Sequence, residues 1–312
     1  MAGMSQLEAA TGHEDGVRPV FGVPRDLAAE KLLGLRVDPA LGRGEVLVVP
    51  QLLNSIGALW GGVGLAAAIG LCEEVLGRRA LWASVQYISP IRCGERLELS
   101  LHAGRRGRGL TQAAVRGTVE GRQTLLVTGT FGGRAGNGPT ADLADDFGRD
   151  LQLATAPVGV RTPAQCPEYT VRPELPGSAA GLLERVEQRW ATPTTPELAG
   201  TPGNARTMLW LRSRVPLPLS AVVLAVLADF APVAIGHARG VPTYGVSLDN
   251  SIRLAHISPD PGAGDDSSSP WILLDVRVEA LVRGVAQLYA RMFGEDGRLL
   301  ATAGQSTLMR HA

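Results

Sequence analysis

The sequence predicts an α+β fold built from two copies of one unit, in which a curled antiparallel sheet wraps around a long central helix. Three observations support this prediction: a strand pattern occurs twice, a long apolar segment precedes it in each copy, and tight glycine turns connect the strands. The chain has 312 residues, and because domains usually contain roughly 100 to 200 residues, it is long enough for two of them.

The clearest repeat is the motif R-G-x-x-Q-x-x-x-R. It occurs as RGLTQAAVR at 108–116 and as RGVAQLYAR at 283–291. In both copies a Gly-Arg turn and a Leu-Leu strand follow the motif, which predicts a strand, a tight turn and a second strand. Each copy therefore contains the same antiparallel hairpin.

A second correspondence lies upstream of these hairpins. The segment WASVQYISPI at 82–91 aligns with YGVSLDNSIRL at 244–254 when Gln86 is set against Asp249. The second copy then contains an additional insert, PDPGAGDDSSSP at 259–270, which accounts for the different spacing. The two copies thus share their order of strands.

Each copy also predicts one long apolar helix. The first covers 58–76 and ends at Gly77; the second covers 220–238, with Ser220 as its N-cap. Because each helix is apolar around most of its circumference, we expect the sheet to wrap around it. The predicted fold class is therefore α+β, a double hot-dog: two curled antiparallel sheets, each wrapped around a long central helix.

The resulting domain organisation has three parts. Residues 30–134 form the N-terminal hot-dog, and residues 178–312 form the C-terminal hot-dog, which carries the proposed active site. Residues 135–177 are rich in Pro, Gly and Ala, so they are interpreted as a linker with little core of its own.

Composition excludes several functional classes. The formal net charge is zero and the arginines are scattered, so neither a nucleic acid nor an anionic membrane is an expected partner. The three cysteines lack metal-binding spacing and are too few for a disulfide framework, so a reducing compartment is expected. The N-terminus has acidic residues where a signal peptide needs basic and apolar ones, so we expect a cytoplasmic protein.

Two apolar stretches approach the length of a membrane span. The stretch at 56–72 is rich in glycine, and the stretch at 217–236 contains Asp229 and Pro232. These features favour helices buried in a protein core over membrane spans.

The sequence GGVGLA at 62–67 fits the dinucleotide pattern G-x-G-x-x-A, but no strand directly precedes it and no parallel βαβ unit surrounds it. Two interpretations remain for the neighbouring Gly61 and Gly62. Their N–H groups at a helix start could stabilise an oxyanion, or the glycines could serve only close helix–sheet packing.

The two copies differ where chemistry is expected. Asp249 aligns with Gln86, and Gln305 aligns with Phe131. A carboxylate in a half-buried strand is uncommon unless another group pairs with it or uses it, which makes Asp249 a candidate. Duplication followed by loss of one site would explain why one copy carries an ionisable group and an amide, so Asp249 and Gln305 are candidate catalytic residues. The alternative is that Asp249 caps a turn and Gln305 lies on a solvated strand face.

The order of LDNSI, WILLD and GRLLATAGQS resembles the C-terminal half of the acyl-CoA thioesterase II family. The Gly-Gly pair before an Ala-rich helix and the segment QYISPIRCGERLEL are similar to its N-terminal half. The resemblance covers most of 50–133 and 207–310 and implies a double hot-dog fold.

In that family an Asp, a Ser or Thr, and a Gln orient and activate a water that attacks a thioester. The resemblance assigns the first role to Asp249 and the third to Gln305. Counting along the chain for the second role leads to Glu279, because no Ser or Thr occurs between Trp271 and Thr302.

The predicted function is hydrolysis of acyl-CoA thioesters to a free acid and CoA, without a metal or other cofactor. Acyl-CoA is the expected partner, and the sequence leaves open both a single double hot-dog unit and a homo-oligomer of such units. A non-catalytic acyl-CoA binding protein is one alternative. A hot-dog hydratase is another, although it would need a histidine closer to the aspartate than His256, which follows Asp249 by seven residues.

Overall fold

The computed structural model describes residues 26–132, 152–169, 181–256 and 269–310. The helices in these ranges are α1 (Leu27–Lys31), α2 (Gly61–Leu76), α3 (Ala221–Ala228) and α4 (Val233–Arg239). The strands are β1 (Arg36–Asp38), β2 (Arg43–Leu47), β3 (Ala80–Tyr87), β4 (Arg96–Arg106), β5 (Leu110–Val119), β6 (Arg122–Gly132), β7 (Val186–Trp190), β8 (Arg206–Ser213), β9 (Tyr244–Ser247), β10 (Asp249–Leu254), β11 (Ile272–Val282), β12 (Val285–Gly294) and β13 (Leu299–Arg310).

The strands of the described ranges form one antiparallel sheet in the order β1-β2-β4-β5-β6-β3-β10-β13-β12-β11-β8-β7, with β9 also paired to β13. The sequence predicted two sheets, and the structure joins the strands of both copies into one. The junction is the pairing of β3 with β10, in which Gln86 lies directly opposite Asp249. These are the residues that the repeat sets in equivalent positions, so the two copies meet at equivalent edges.

Helix α2 matches the first predicted helix closely. It is buried along most of its length, as its uniformly apolar sequence requires, and it begins at Gly61, three residues later than expected. It ends as predicted at Gly77, which adopts a left-handed conformation with φ of 62°. A residue with a side chain is strained in this conformation, so glycine is favoured at this C-cap.

The second predicted helix, 220–238, is wrong as a single helix. The structure has α3, a break at residues 229–232, and then α4. Pro232 explains the break, because proline lacks an N–H group and its ring clashes with the carbonyl of the residue four positions earlier, here Ala228. Ser220 caps α3 as predicted, with its hydroxyl accepting from the amide of Val223 at 3.2 Å.

The helices α2 and α3 pack against each other with unusually close backbones. A Cβ on Gly62 would lie 2.8 Å from the carbonyl oxygen of Ala225 and 2.9 Å from that of Val226. Only glycine permits this approach, which brings the first turn of α2 to the end of α3. The packing therefore joins elements of the two copies beside Asp229.

The segment Ala221–Arg239 is long and apolar enough to cross a membrane by length and composition alone, with a mean hydropathy of 1.9. In the structure, however, 83% of its most apolar window is buried inside the protein. That burial is typical of a core helix, as the sequence predicted for this stretch.

Part of the predicted linker belongs to the core. Residues 152–169, here called the strap, contribute Cys166 to a second apolar cluster that also contains Trp210, Leu273 and Phe293. The Trp210 indole N–H donates to the carbonyl of Arg161 at 2.8 Å. The rest of the linker, 135–151 and 170–177, lies outside the described residues, as does most of the predicted insert at 259–270.

Candidate functional site

Asp229 lies in the break between α3 and α4, and only 7% of it is exposed. Its Oδ2 accepts a hydrogen bond from the amide of Gly62 at 2.8 Å. Its Oδ1 accepts from Gln305 Nε2 at 2.7 Å and from Asn250 Nδ2 at 3.5 Å. A buried carboxylate thus faces several donors, contributed by both copies of the repeat.

Burial raises the pKa of Asp229 from 3.8 to about 6, because a charge without solvent is unfavourable. The hydrogen bonds from the amide of Gly62, the side chains of Gln305 and Asn250, and the amide of Gly61 oppose this rise, since they stabilise the anion. The positive end of α2 points at the carboxylate and acts in the same direction. Asp229 is therefore ionised for the most part at neutral pH, yet it can accept a proton at little cost.

Gln305 connects this carboxylate to a hydroxyl. Its Nε2 donates to Ser247 Oγ at 2.6 Å as well as to Asp229 Oδ1. Gln305 lies on β13, and Ser247 is the last residue of β9. A helix break and two neighbouring strands thus bring together a carboxylate, an amide and a hydroxyl.

A β-bulge between β9 and β10 determines which side chains face this cluster. Ser247 pairs with Thr307 and Ser251 pairs with Gly304, so four steps on one strand oppose three on the other. Leu248 is the additional residue, and its amide donates to the carbonyl of Ser306 at 2.8 Å. The bulge reverses the alternation of side chains, so that both Ser247 and Asn250 contact the buried cluster.

The same bulge keeps Asp249 away from Gln305. The sequence predicted these two residues as partners, but Asp249 Oδ1 accepts from the amide of Ser306 at 2.6 Å instead. Adjacent strand residues point to opposite faces of a sheet, and Asn250 occupies the inner face. His256 lies beyond the opposite end of β10 from Asp249, and its Nδ1 lies 3.0 Å from the carbonyl oxygen of Leu299.

The other predicted site residues divide into two groups. Gly61 and Gly62 lie at the start of α2 beside the cluster, as expected, but their amides face the carboxylate of Asp229. Glu279 is exposed on β11, which is separated from β13 by β12. The structure therefore brings Gln305, Gly61 and Gly62 together and leaves Glu279 outside the group.

Three residues of the cluster were not proposed from the sequence: Asp229, Ser247 and Asn250. One signal was available for Asp229, because an acidic residue in a strongly apolar helix is unusual and needs partners or a function. Ser247 precedes Asp249 by two residues, on the other side of the bulge. A bulge is defined by hydrogen-bond pairing between two strands, so the alternating pattern of one strand does not predict it.

No metal ligand set accompanies this cluster. Within the described ranges, no three His, Cys, Asp or Glu side chains come together in a way that could hold a metal ion. The groups gathered at Asp229 can instead accept a proton, donate hydrogen bonds and orient a small polar molecule.

The chain is similar to a known thioesterase domain in sequence and to solved structures in fold. A model of the acyl-CoA thioesterase C-terminal domain family matches residues 163–309. A solved structure from Novosphingobium aromaticivorans, assigned as a thioesterase, is 34% identical, covers 89% of this chain and 98% of its own, and gives a TM-score of 0.72. Among curated proteins, none matches the chain.

Two more distant structures show the fold. A conserved protein of unknown function with a hot-dog fold, from Alicyclobacillus acidocaldarius, is 17% identical over 91% of this chain and 98% of its own, with a TM-score of 0.74. The acyl-CoA thioesterase II TesB2 from Mycobacterium marinum is 18% identical over 91% and 99%, with a TM-score of 0.64. The chain thus has a hot-dog fold along nearly its whole described length.

Proposed function

The chain belongs to the acyl-CoA thioesterase II family, and from that membership we propose that it hydrolyses acyl-CoA thioesters with Asp229, Ser247 and Gln305 as its catalytic residues. The observation that carries the proposal is the amide of Gln305, which donates to both the Asp229 carboxylate and the Ser247 hydroxyl. These are the three residue types that the resemblance predicts, although two of them occur at other positions.

The continuous sheet supports a more detailed proposal for the architecture. We interpret the continuous sheet as two hot-dog units joined edge to edge through β3 and β10, which makes the chain a double hot-dog. Helix α2 belongs to the first unit, and the broken pair α3 and α4 belongs to the second. The acyl chain would then lie in the apolar seam between the units.

In the proposed reaction, Asp229 acts as the general base. It takes a proton from a water molecule held beside Ser247 and Gln305, and the water oxygen attacks the carbonyl carbon of the thioester. The tetrahedral intermediate collapses with cleavage of the carbon–sulfur bond. The proton on Asp229 passes to the CoA thiolate, so the products are a carboxylic acid and CoA.

The environment of Asp229 suits a base in this role. A pKa of about 6 keeps the carboxylate ionised at neutral pH and makes it a stronger base than an exposed aspartate. The oxygens Gln305 Oε1 and Asn250 Oδ1 are buried and have no partner within the described ranges. They leave acceptor positions beside the carboxylate that could orient a water molecule.

In this proposal Asp229 has the role of the catalytic aspartate, which the resemblance assigned to Asp249. Ser247 has the role of the Ser or Thr, for which the sequence led to Glu279. The assignment of Asp249 can be tested against this one, because both aspartates accept a hydrogen bond from β13, Asp229 from Gln305 and Asp249 from Ser306. Asp249→Asn removes the same charge outside the buried cluster and is the matched control for Asp229→Asn.

The test is release of free thiol from a panel of acyl-CoA esters, short, long and branched, followed colorimetrically. Asp229→Asn should lose the activity, by about 10²- to 10⁴-fold for removal of a general base, while Asp249→Asn should remain close to wild type. Ser247→Ala and Gln305→Ala should each lower kcat.

Two results would contradict this proposal. Loss of activity in Asp249→Asn together with an active Asp229→Asn would identify Asp249 as the general base. Binding of CoA esters by the wild type without release of thiol from any of them would instead identify a non-catalytic acyl-CoA binding protein.

A further inference from the structure

Thioester hydrolysis needs a donor for the negative charge that develops on the carbonyl oxygen, and the amides at the start of α2 are already engaged. The Gly62 N–H donates to Asp229 Oδ2 at 2.8 Å, and the Gly61 amide also stabilises that carboxylate. A donor that serves the base cannot fully serve the oxyanion at the same time. Another donor close to Asp229 is therefore required, on the basis of the function proposed above.

Tyr87 supplies such a donor. It is the last residue of β3, and its hydroxyl oxygen is buried without a hydrogen-bond partner in the described part of the chain. A buried hydroxyl that forms no hydrogen bond is costly, so its retention points to a partner that arrives with the substrate.

Gly61 relates the position of this hydroxyl to that of Asp229. A Cβ on Gly61 would lie 2.9 Å from the Tyr87 Oη and 3.0 Å from Asp229 Oδ2, so both oxygens lie against the same glycine. The backbone of Tyr87 is held as well, because its amide donates to the carbonyl of Leu248 in the bulge at 3.0 Å. The backbone of Tyr87 is thus attached to the bulge, next to Ser247.

We propose that the Tyr87 hydroxyl donates a hydrogen bond to the carbonyl oxygen of the thioester and stabilises the oxyanion of the tetrahedral intermediate. The donor must remain neutral for this purpose. Burial, together with the negative charges of Asp229 and Asp249, raises the pKa of Tyr87 well above its usual value, so the phenol keeps its proton. The glycines at the start of α2 then support the base, and the tyrosine supports the oxyanion.

The test compares Tyr87→Phe with the wild type and with Tyr289→Phe. Both changes remove one hydroxyl, and Tyr289 is 38% exposed on β12, which makes it the matched control. Removal of one oxyanion donor should lower kcat by about 10²- to 10³-fold. KM should change little, since the bond strengthens mainly in the transition state.

Thermal unfolding separates this role from a structural one. Because the hydroxyl has no partner in the folded protein, Tyr87→Phe should melt at the same temperature as the wild type or higher. A large loss of kcat at unchanged or raised melting temperature supports the proposal. A kcat within about threefold of the wild type, or a loss of kcat that follows a lower melting temperature, overturns it.

The wild type and Asp229→Asn, assayed in parallel, distinguish the two proposals. If Asp229→Asn is inactive and Tyr87→Phe is fully active, Tyr87 does not stabilise the oxyanion, and the thioesterase assignment still holds. A wild type that releases no thiol from any ester overturns both, because the oxyanion role depends on the reaction.

Discussion

Asp229→Asn should make the protein more stable at the same time as it removes the activity. The pKa of Asp229 rises from 3.8 to about 6 on folding, so folding favours the protonated form. Holding the carboxylate ionised in the folded state then costs about 3 kcal/mol, at 1.36 kcal/mol for each pH unit. An asparagine at this position carries no charge and avoids that cost.

The sign follows from proton linkage. Below pH 3.8 the carboxyl group is protonated in both the folded and the unfolded protein, and the group costs nothing. As the pH rises through 3.8 towards 6, the unfolded protein ionises first, so the free energy of unfolding falls. We therefore expect Asp229→Asn to gain about 1 kcal/mol over the wild type at pH 4.5 and about 3 kcal/mol at pH 7.5.

The hydrogen bonds can adapt to this substitution. The Asn oxygen can accept from the Gly62 amide, and the Asn amide can donate to Gln305 or Asn250. Both of these side chains have an oxygen that is buried and unpartnered in the described structure, so a rotation of either amide group presents an acceptor.

Urea unfolding of the wild type, Asp229→Asn and Asp249→Asn at both pH values measures this effect. Asp249→Asn controls for the loss of one negative charge outside the buried cluster. An Asp229→Asn variant that is less stable than the wild type at pH 7.5 would refute the reasoning, because it would mean that the hydrogen bonds to the carboxylate outweigh its desolvation.

Two further predictions follow from the same site. The kcat of the wild type should fall about tenfold between pH 7 and pH 5, because a general base with a pKa of about 6 becomes protonated, and a rate that stays flat to pH 5 would exclude Asp229 as that base. Gly62→Ala should lower the free energy of unfolding by about 1–3 kcal/mol, since its Cβ would meet backbone oxygens of α3. Gly64→Ala on the same helix would meet only the Leu125 side chain and should cost less, and equal losses in urea unfolding would contradict this account.

Much of the fold could be predicted from patterns that a single strand or helix carries by itself. The strands of both copies, helix α2 and its end at Gly77 all follow from periodicity and turn residues, and the family membership is confirmed. The break of the second helix could also have been predicted, because Pro232 lies within the apolar segment. It was missed because the apolar run on both sides predicts one helix.

The site was harder to predict, because it depends on contacts between distant parts of the chain. The Gly62 amide and the Asp229 carboxylate are 167 residues apart in sequence, and only the packing of α2 against α3 brings them together. Likewise, the alternating pattern around Asp249 gives no sign that Leu248 is an additional residue. One bulged residue decides which of two neighbouring polar side chains faces the interior.

The strap determines where this chain can be divided. A fragment that begins at residue 178 would leave the Trp210 indole without the Arg161 carbonyl. It would also expose the second apolar cluster, which includes Phe293. Gln152 adds a second attachment, because its side chain accepts from the amide of Leu299 at 2.7 Å and donates to the carbonyl of Gly297 at 3.1 Å. A chain divided between residues 132 and 152 would keep the strap on the second half, and its two pieces should stay associated through the pairing of β3 with β10.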